Sequence, residues 1–152
     1  MKLEKYKNFL GIKENERKKD WNDYDFVLSQ IKQYGTALQF ASEKLQDNEE
    51  IVKEAVSQNG YVLYYASEKL QNNEEIVLEA MKQNRRALTY ASCNLQKEFI
   101  KNQPELIQYV KQTPELVKLA IDNGLKEKEL IKISKEELFE YINSLNKKSI
   151  KP

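Results

Sequence analysis

Apolar residues in the middle of the chain come in paired bursts that recur every 25 positions. Ile51, Val52, Ala55 and Val56 form one burst, and Val62, Leu63, Ala66 and Leu70 the next. The first has the i, i+1, i+4, i+5 spacing of one helical face, and the second also falls on a single helical stripe. Each repeat therefore predicts two helices, A and B. Three repeats align without a gap, over residues 22–46, 47–71 and 72–96. Their recurring columns are Phe26/Ile51/Ile76, Val27/Val52/Val77, Ile31/Val56/Met81, Gln33/Gln58/Gln83, Leu38/Leu63/Leu88, Ala41/Ala66/Ala91, Ser42/Ser67/Ser92 and Leu45/Leu70/Leu95.

Local signals mark the ends of these helices. Asp47 and Asn72 are each followed three residues later by Glu50 and Glu75, the spacing of a capping box at the start of helix A. Gly35 and Gly60 follow helix A, where a glycine in the left-handed conformation closes many helices. Helices of about ten residues are marginal alone, so neighbouring repeats must bury their faces. The prediction is an all-α fold, a short solenoid-like array of stacked αα-hairpins with helical caps.

The flanks depart from the period. Residues 1–21 predict a capping helix, with Leu3, Tyr6, Phe9 and Leu10 on one face, and a polar linker. Residues 97–124 read as a degenerate fourth repeat, in which Pro104 and Pro114 each open a helix, near 104–112 and 114–123, and Gly124 closes the second. Residues 125–152 hold a last amphipathic helix, opened by Ser134 and Glu137 and followed through Leu138, Phe139, Tyr141, Ile142 and Leu145, and then a tail. At 152 residues the whole is expected to be one domain.

The segments Ala37–Asn59 and Val62–Asn84 share the phrase A-L-x-[FY]-A-S-x-x-L-x-x-[ND]-E-E-I-V-x-x-A-[VM]-x-Q-N, with Val62 in place of the leading alanine. This phrase resembles a helical-repeat family of unknown function found in bacteria and protists, and Gln108–Val117 resembles its other common phrasing. The resemblance covers about residues 22–123 and implies an all-helical repeat fold without an assigned activity. A looser likeness is to leucine-rich variant repeats, whose cysteine cluster is missing here.

Composition narrows the chemistry. There is no histidine and a single cysteine, Cys93, so a Ser/His/Asp triad, a Cys/His pair, a His-ligated metal and an intrachain disulfide are all excluded. The four glycines are isolated, so no phosphate-cradling loop is present. Glu49, Glu50, Glu74 and Glu75 fall where helix A begins, and there they complement the helix dipole. Cys93 reads as a tolerated small residue without an activating base. The chain is expected to be no enzyme and to need no cofactor or metal. Hydrophobic content of 40% without a long apolar run argues against a membrane span. A lysine-rich N-terminus without an apolar core, together with the lone thiol, predicts a cytoplasmic protein.

In a repeat protein the recurring positions maintain the fold, so function is sought at exposed positions that break the repeat. On a helical wheel, positions 36, 39 and 43 of helix B lie opposite the apolar stripe. Tyr61 and Tyr64 stand in that outward row, and Arg85 and Arg86 at the adjacent turn are two of only three arginines among 25 basic residues. Tyrosine and arginine are enriched in binding hot spots. The candidate partner-binding residues are therefore Tyr61, Tyr64, Arg85 and Arg86, with Tyr34 and Gln39 at the edge; the competing reading is that the tyrosines merely cover surface or pack on a terminal helix. The column Phe40/Tyr65/Tyr90 recurs and is assigned to packing between repeats. Leu28 and Leu78 mark a second outward face, on helix A.

The expected function is a non-enzymatic protein-binding module. Within that class, an inhibitor of a bacterial defence enzyme encoded by a phage or mobile element, or an effector, suits a small standalone chain. The alternative is an RNA-binding or other nucleic-acid-binding helical repeat. Charge weighs against it: residues 1–19 carry net +4 and 146–152 net +3, but residues 20–145 carry 15 positive and 21 negative groups, net −6. An acidic body repels phosphate.

Overall fold

The computed structural model describes residues 20–126, together with residues 135, 136, 139 and 143. The capping helix expected over residues 2–10 lies outside the described residues. So does most of the final helix, whose described positions Lys135, Glu136, Phe139 and Asn143 are helical, with Phe139 exposed. Among the described residues every regular element is helical, so the fold is all-α. Two compact units divide the chain, residues 1–84 and 85–152.

In the first unit the three A helices form as expected: α1 (Tyr24–Gln33), α3 (Glu49–Gln58) and α5 (Glu74–Gln83). The expected capping boxes do not form, because each N-cap stands one residue later than predicted and leaves Ile51 or Ile76, not Glu50 or Glu75, at the third helical position. Asp23, Asn48 and Asn73 are the N-caps, each accepting from the backbone N–H three residues on, whereas Asp47 and Asn72 close the preceding short helices. The shift keeps Glu49, Glu50, Glu74 and Glu75 in the first turns, where their charge opposes the dipole.

Helix B is not one helix. Each B segment is a six-residue 3-10 helix, η1 (Gly35–Phe40) or η2 (Gly60–Tyr65), then an extended alanine, then a single α turn, α2 (Glu43–Gln46) or α4 (Glu68–Gln71). Backbone hydrogen bonding explains the break. In a continuous helix Ser42 and Ser67 would donate to the carbonyls four residues earlier. Instead the Ser42 N–H donates to the Trp21 carbonyl at 3.0 Å and the Ser67 N–H to the Gln46 carbonyl at 2.9 Å, tying the first repeat to the residue that precedes it and the second repeat to the first. A glutamine side chain adds a further donor to the carbonyls at the 3-10 end, those of Leu38 and Leu63 already accepting from the Ala41 and Ala66 N–H. Gln46 Nε2 donates to the Leu38 carbonyl at 3.1 Å, and Gln71 Nε2 to those of Leu63, Tyr64 and Ala66 at 3.0–3.3 Å.

Gly35 serves close approach, with no left-handed backbone. Gly124 is the one described residue with positive φ, at 92°, as its place after a helix predicts. A Cβ on Gly35 would stand 2.8 Å from the Ala55 carbonyl oxygen, so η1 seats against α3 only without a side chain there. α3 packs on α1 and α5, η1 on α1 and α3, and η2 on α3 and α5. Val27, Ile31, Leu38, Ile51, Val52, Val56, Leu63 and Ile76 are sealed from solvent between them. Trp21 stands 25 positions before Gln46 and packs edge-on against Phe26 at 5.2 Å and tilted against Phe40 at 5.3 Å.

The second unit holds η3 (Arg85–Tyr90), α6 (Cys93–Asn102), η4 (Pro104–Tyr109) and α7 (Pro114–Asp122). The helix expected near 104–112 is thus a shorter 3-10 segment, ended by an extended Val110. Both prolines occupy first helical positions. The 3-10 helices begin at residues 35, 60, 85 and 104, so the last interval is 19 residues. Six residues are missing because α6 merges the short turn of one repeat with helix A of the next. Leu95 stands where Leu70 stands, 25 positions earlier, and where Ile76 stands, 19 positions earlier, and one side chain fills both roles. α6 packs on α7 and η4, burying Phe99, Ile100, Ile107 and Val117.

Candidate functional site

A 3-10 helix has three residues per turn, so positions i and i+3 stand directly above one another. Tyr61 and Tyr64 therefore share one edge of η2, as Thr36 and Gln39 share one edge of η1. The wheel placed the same pairs together by assuming an α-helix; the tighter winding aligns them more closely, and it removes Glu43 and Glu68 to a separate turn.

Tyr34, Tyr61 and Tyr64 are 47%, 40% and 61% exposed. The Tyr61 hydroxyl accepts from Asn84 Nδ2 at 3.1 Å, and the Tyr64 ring stands edge-on to Tyr65 at 5.1 Å. Tyr34 holds the position that Asn59 holds one repeat later. Asn59 caps η2 by accepting from the Tyr61 N–H at 3.0 Å, whereas Tyr34 gives η1 no side-chain cap. Such a cap contributes about 1 kcal/mol in an α-helix, so tyrosine at residue 34 is not explained by local backbone stability. Gln39 is half-buried and its Nε2 donates to the Thr36 carbonyl at 3.0 Å, which commits part of its amide to its own turn. Arg85 and Arg86 open η3 in the second unit, and both are exposed.

Charge is distributed unevenly around these residues. Residues 33–42 and 55–67 contain no Asp, Glu, Lys or Arg, although such residues make up 32% of the chain. The segments that carry the three tyrosines thus contribute no charged side chain of their own. In residues 20–84 there are five basic and twelve acidic side chains, net −7, and in residues 85–126 seven basic and four acidic, net +3. In the first unit Lys53 pairs with Glu75, Lys82 with Glu79 at 2.6 Å, and Lys69 with Asp47 at 3.9 Å. The Lys53 ammonium holds the Glu75 carboxyl below its ordinary range, and Glu75 in turn raises Lys53. A hydrogen bond to Glu50 raises the Tyr24 phenol. In the second unit Lys97 is raised by its bond to Glu115 at 2.8 Å.

Two grooves lie elsewhere. One of about 390 Å³ is lined by Glu50, Lys53, Glu54, Ser57 and Glu79. Another of about 470 Å³, between α6 and α7, is lined largely by Lys97, Glu98, Lys101, Glu115, Lys118 and Asp122. Neither is lined by a candidate partner-binding residue. Among the described residues no group of three or more His, Cys, Asp or Glu side chains could hold a metal ion, and no helix is long and apolar enough to cross a membrane. Cys93 is an exposed free thiol.

The column Gln46/Gln71/Gln96 was not recognised from the sequence, although its identity at 25-residue spacing was visible. It is structural. Gln96 is buried and donates to the Thr89 and Ala91 carbonyls at 3.1 and 2.9 Å.

A family model described as a domain of unknown function, DUF4116, matches residues 48–96, and over that stretch the chain is similar to this family. The match spans α3 to the start of α6 and carries no assigned chemistry. No curated protein and no solved structure matches the chain.

Proposed function

We propose that this chain is a non-enzymatic protein-binding module that uses the exposed tyrosines of the first unit, Tyr34, Tyr61 and Tyr64, and, as a separate set, the exposed Arg85 and Arg86 of the second. The observation that carries this reading is the alignment of Tyr61 and Tyr64, both exposed, on one edge of η2 in a segment without charged residues. Large rigid rings bring contact area at low entropic cost, and here little charge has to be desolvated when they are covered. Tyr34 adds weight because it displaces a helix cap. Gln39, half-buried and bonded within its own turn, belongs to the rim.

Nucleic-acid binding is the less favoured reading, since net −7 over residues 20–84 repels phosphate. Affinity capture from the source cell, identification of the bound protein by mass spectrometry and titration of that purified protein test the proposal. Tyr64→Ala is expected to weaken binding at least tenfold with the fold retained. Unchanged affinity in Tyr61→Ala, Tyr64→Ala and the double variant Arg85→Ala, Arg86→Ala would refute it.

A further inference from the structure

The chain is nearly neutral as a whole, at net +1, yet its two units differ sharply in charge. In the first, the outward sides of α1, α3 and α5 present Asp25, Glu49, Glu50, Glu74 and Glu75 to solvent. Dipole complementation accounts for carboxylates in first turns, but Glu54 and Glu79 stand in the middle of their helices, where it does not act. The lysines beside them, Lys53 and Lys82, are held by Glu75 and Glu79. On α5 this face also exposes Leu78, 41% accessible, next to Glu79. The result is a helix face with an excess of negative charge, a groove and an apolar contact point.

We propose that this face docks the arginine-bearing unit of a second copy of the chain. Charge complementarity names the occupant: residues 85–126 carry net +3, and Arg85 and Arg86, consecutive and both exposed, open η3. A guanidinium fork takes a carboxylate through two parallel hydrogen bonds, a geometry that ammonium groups do not offer. Because the two docking surfaces differ, the contact is head-to-tail, and copies add in sequence or close into a ring.

Sedimentation equilibrium of the full chain tests this at about 0.02 M and about 0.5 M salt, between which the screening length falls from roughly 20 Å to roughly 4 Å. At low salt the mean mass should rise with concentration above the single-chain 17.9 kDa, and at high salt it should return to that value. Arg85→Glu with Arg86→Glu should abolish the rise, as should Glu50→Lys with Glu54→Lys. An equimolar mixture of the two charge-reversed chains should associate again. If the acidic-face variant loses helicity, Glu49→Lys with Glu74→Lys takes its place. A single-chain mass at every concentration in low salt, association untouched by arginine reversal, or association strengthened by salt would each overturn the proposal.

Discussion

The side-chain amide of Gln58 bonds α3 to the preceding repeat at two points. Its Oε1 accepts from the Gly35 N–H at 2.9 Å, and its Nε2 donates to the Ile31 carbonyl at 2.8 Å. One amide thus serves a donor and an acceptor where α1 ends and η1 begins, groups that helix termini leave without internal partners.

Gly35→Ala is expected to destabilise the protein by about 1–3 kcal/mol, because the new methyl meets backbone rather than a movable side chain. Gln58→Leu removes both bonds and should cost about 1–2 kcal/mol. Urea unfolding followed by circular dichroism measures both. A Gly35→Ala variant as stable as the parent would show that α3 can yield at Ala55.

Replacing Gln96 by Leu tests the second amide column. The Thr89 and Ala91 carbonyls lose their donor in a buried setting, so a loss of about 1–3 kcal/mol is expected. Gln71→Leu, at a half-buried position, should cost less. Thermal unfolding of the two variants side by side checks the order.

The exposed tyrosines should separate stability from recognition. Tyr64→Ala should change stability by no more than about 0.5 kcal/mol while costing about 2 kcal/mol of partner affinity. Tyr61→Phe keeps the ring but removes the hydroxyl that accepts from Asn84. It should retain most of the affinity if contact area matters more than that bond. Calorimetric titration against the captured partner distinguishes the two variants.

The Lys53–Glu75 pair predicts a pH window. Glu75 is lowered from its ordinary 4.5, so its contribution is complete above that value and is lost as pH falls through the depressed one. Lys53 is raised from 10.5, so its share is present below that value and is lost as pH rises through the raised one. The stability difference between the parent and Glu75→Gln should therefore be flat around neutrality and shrink at both extremes. Ultraviolet titration should also place Tyr24 above the ordinary 10.0, and Glu50→Gln should bring it back down.

The helical class and the A helices were legible because a 3.6-residue stripe and a polar cap are local signals, as Ile51, Val52, Ala55 and Val56 behind Asn48 illustrate. The broken B segment was not. Ala37, Leu38, Ala41 and Leu45 are all buried, and they satisfy a helical stripe whether or not the backbone turns outward at Ala41. What decides the conformation is the bond from Ser42 to Trp21, a contact between repeats that periodicity within one repeat does not encode. The cap was misplaced for a related reason: Asp47 and Asn48 are both capable caps, and Asp47 is taken by the Ser67 hydroxyl at 2.5 Å. Tyr61 and Tyr64 were found by their departure from the column. Gln46, Gln71 and Gln96 conform to their column, which marks a structural position without telling which carbonyls the amide reaches.

The bond from Ser67 to the Gln46 carbonyl means that a repeat carries the donor for its predecessor and leaves an acceptor for its successor. The stretch of residues 22–46, whose Ser42 donates to Trp21 and whose Gln46 accepts from Ser67, is therefore a cassette with matching ends. Duplicating it in tandem would create no unmatched backbone group at either junction, so the chain has a built-in route to lengthening by whole repeats.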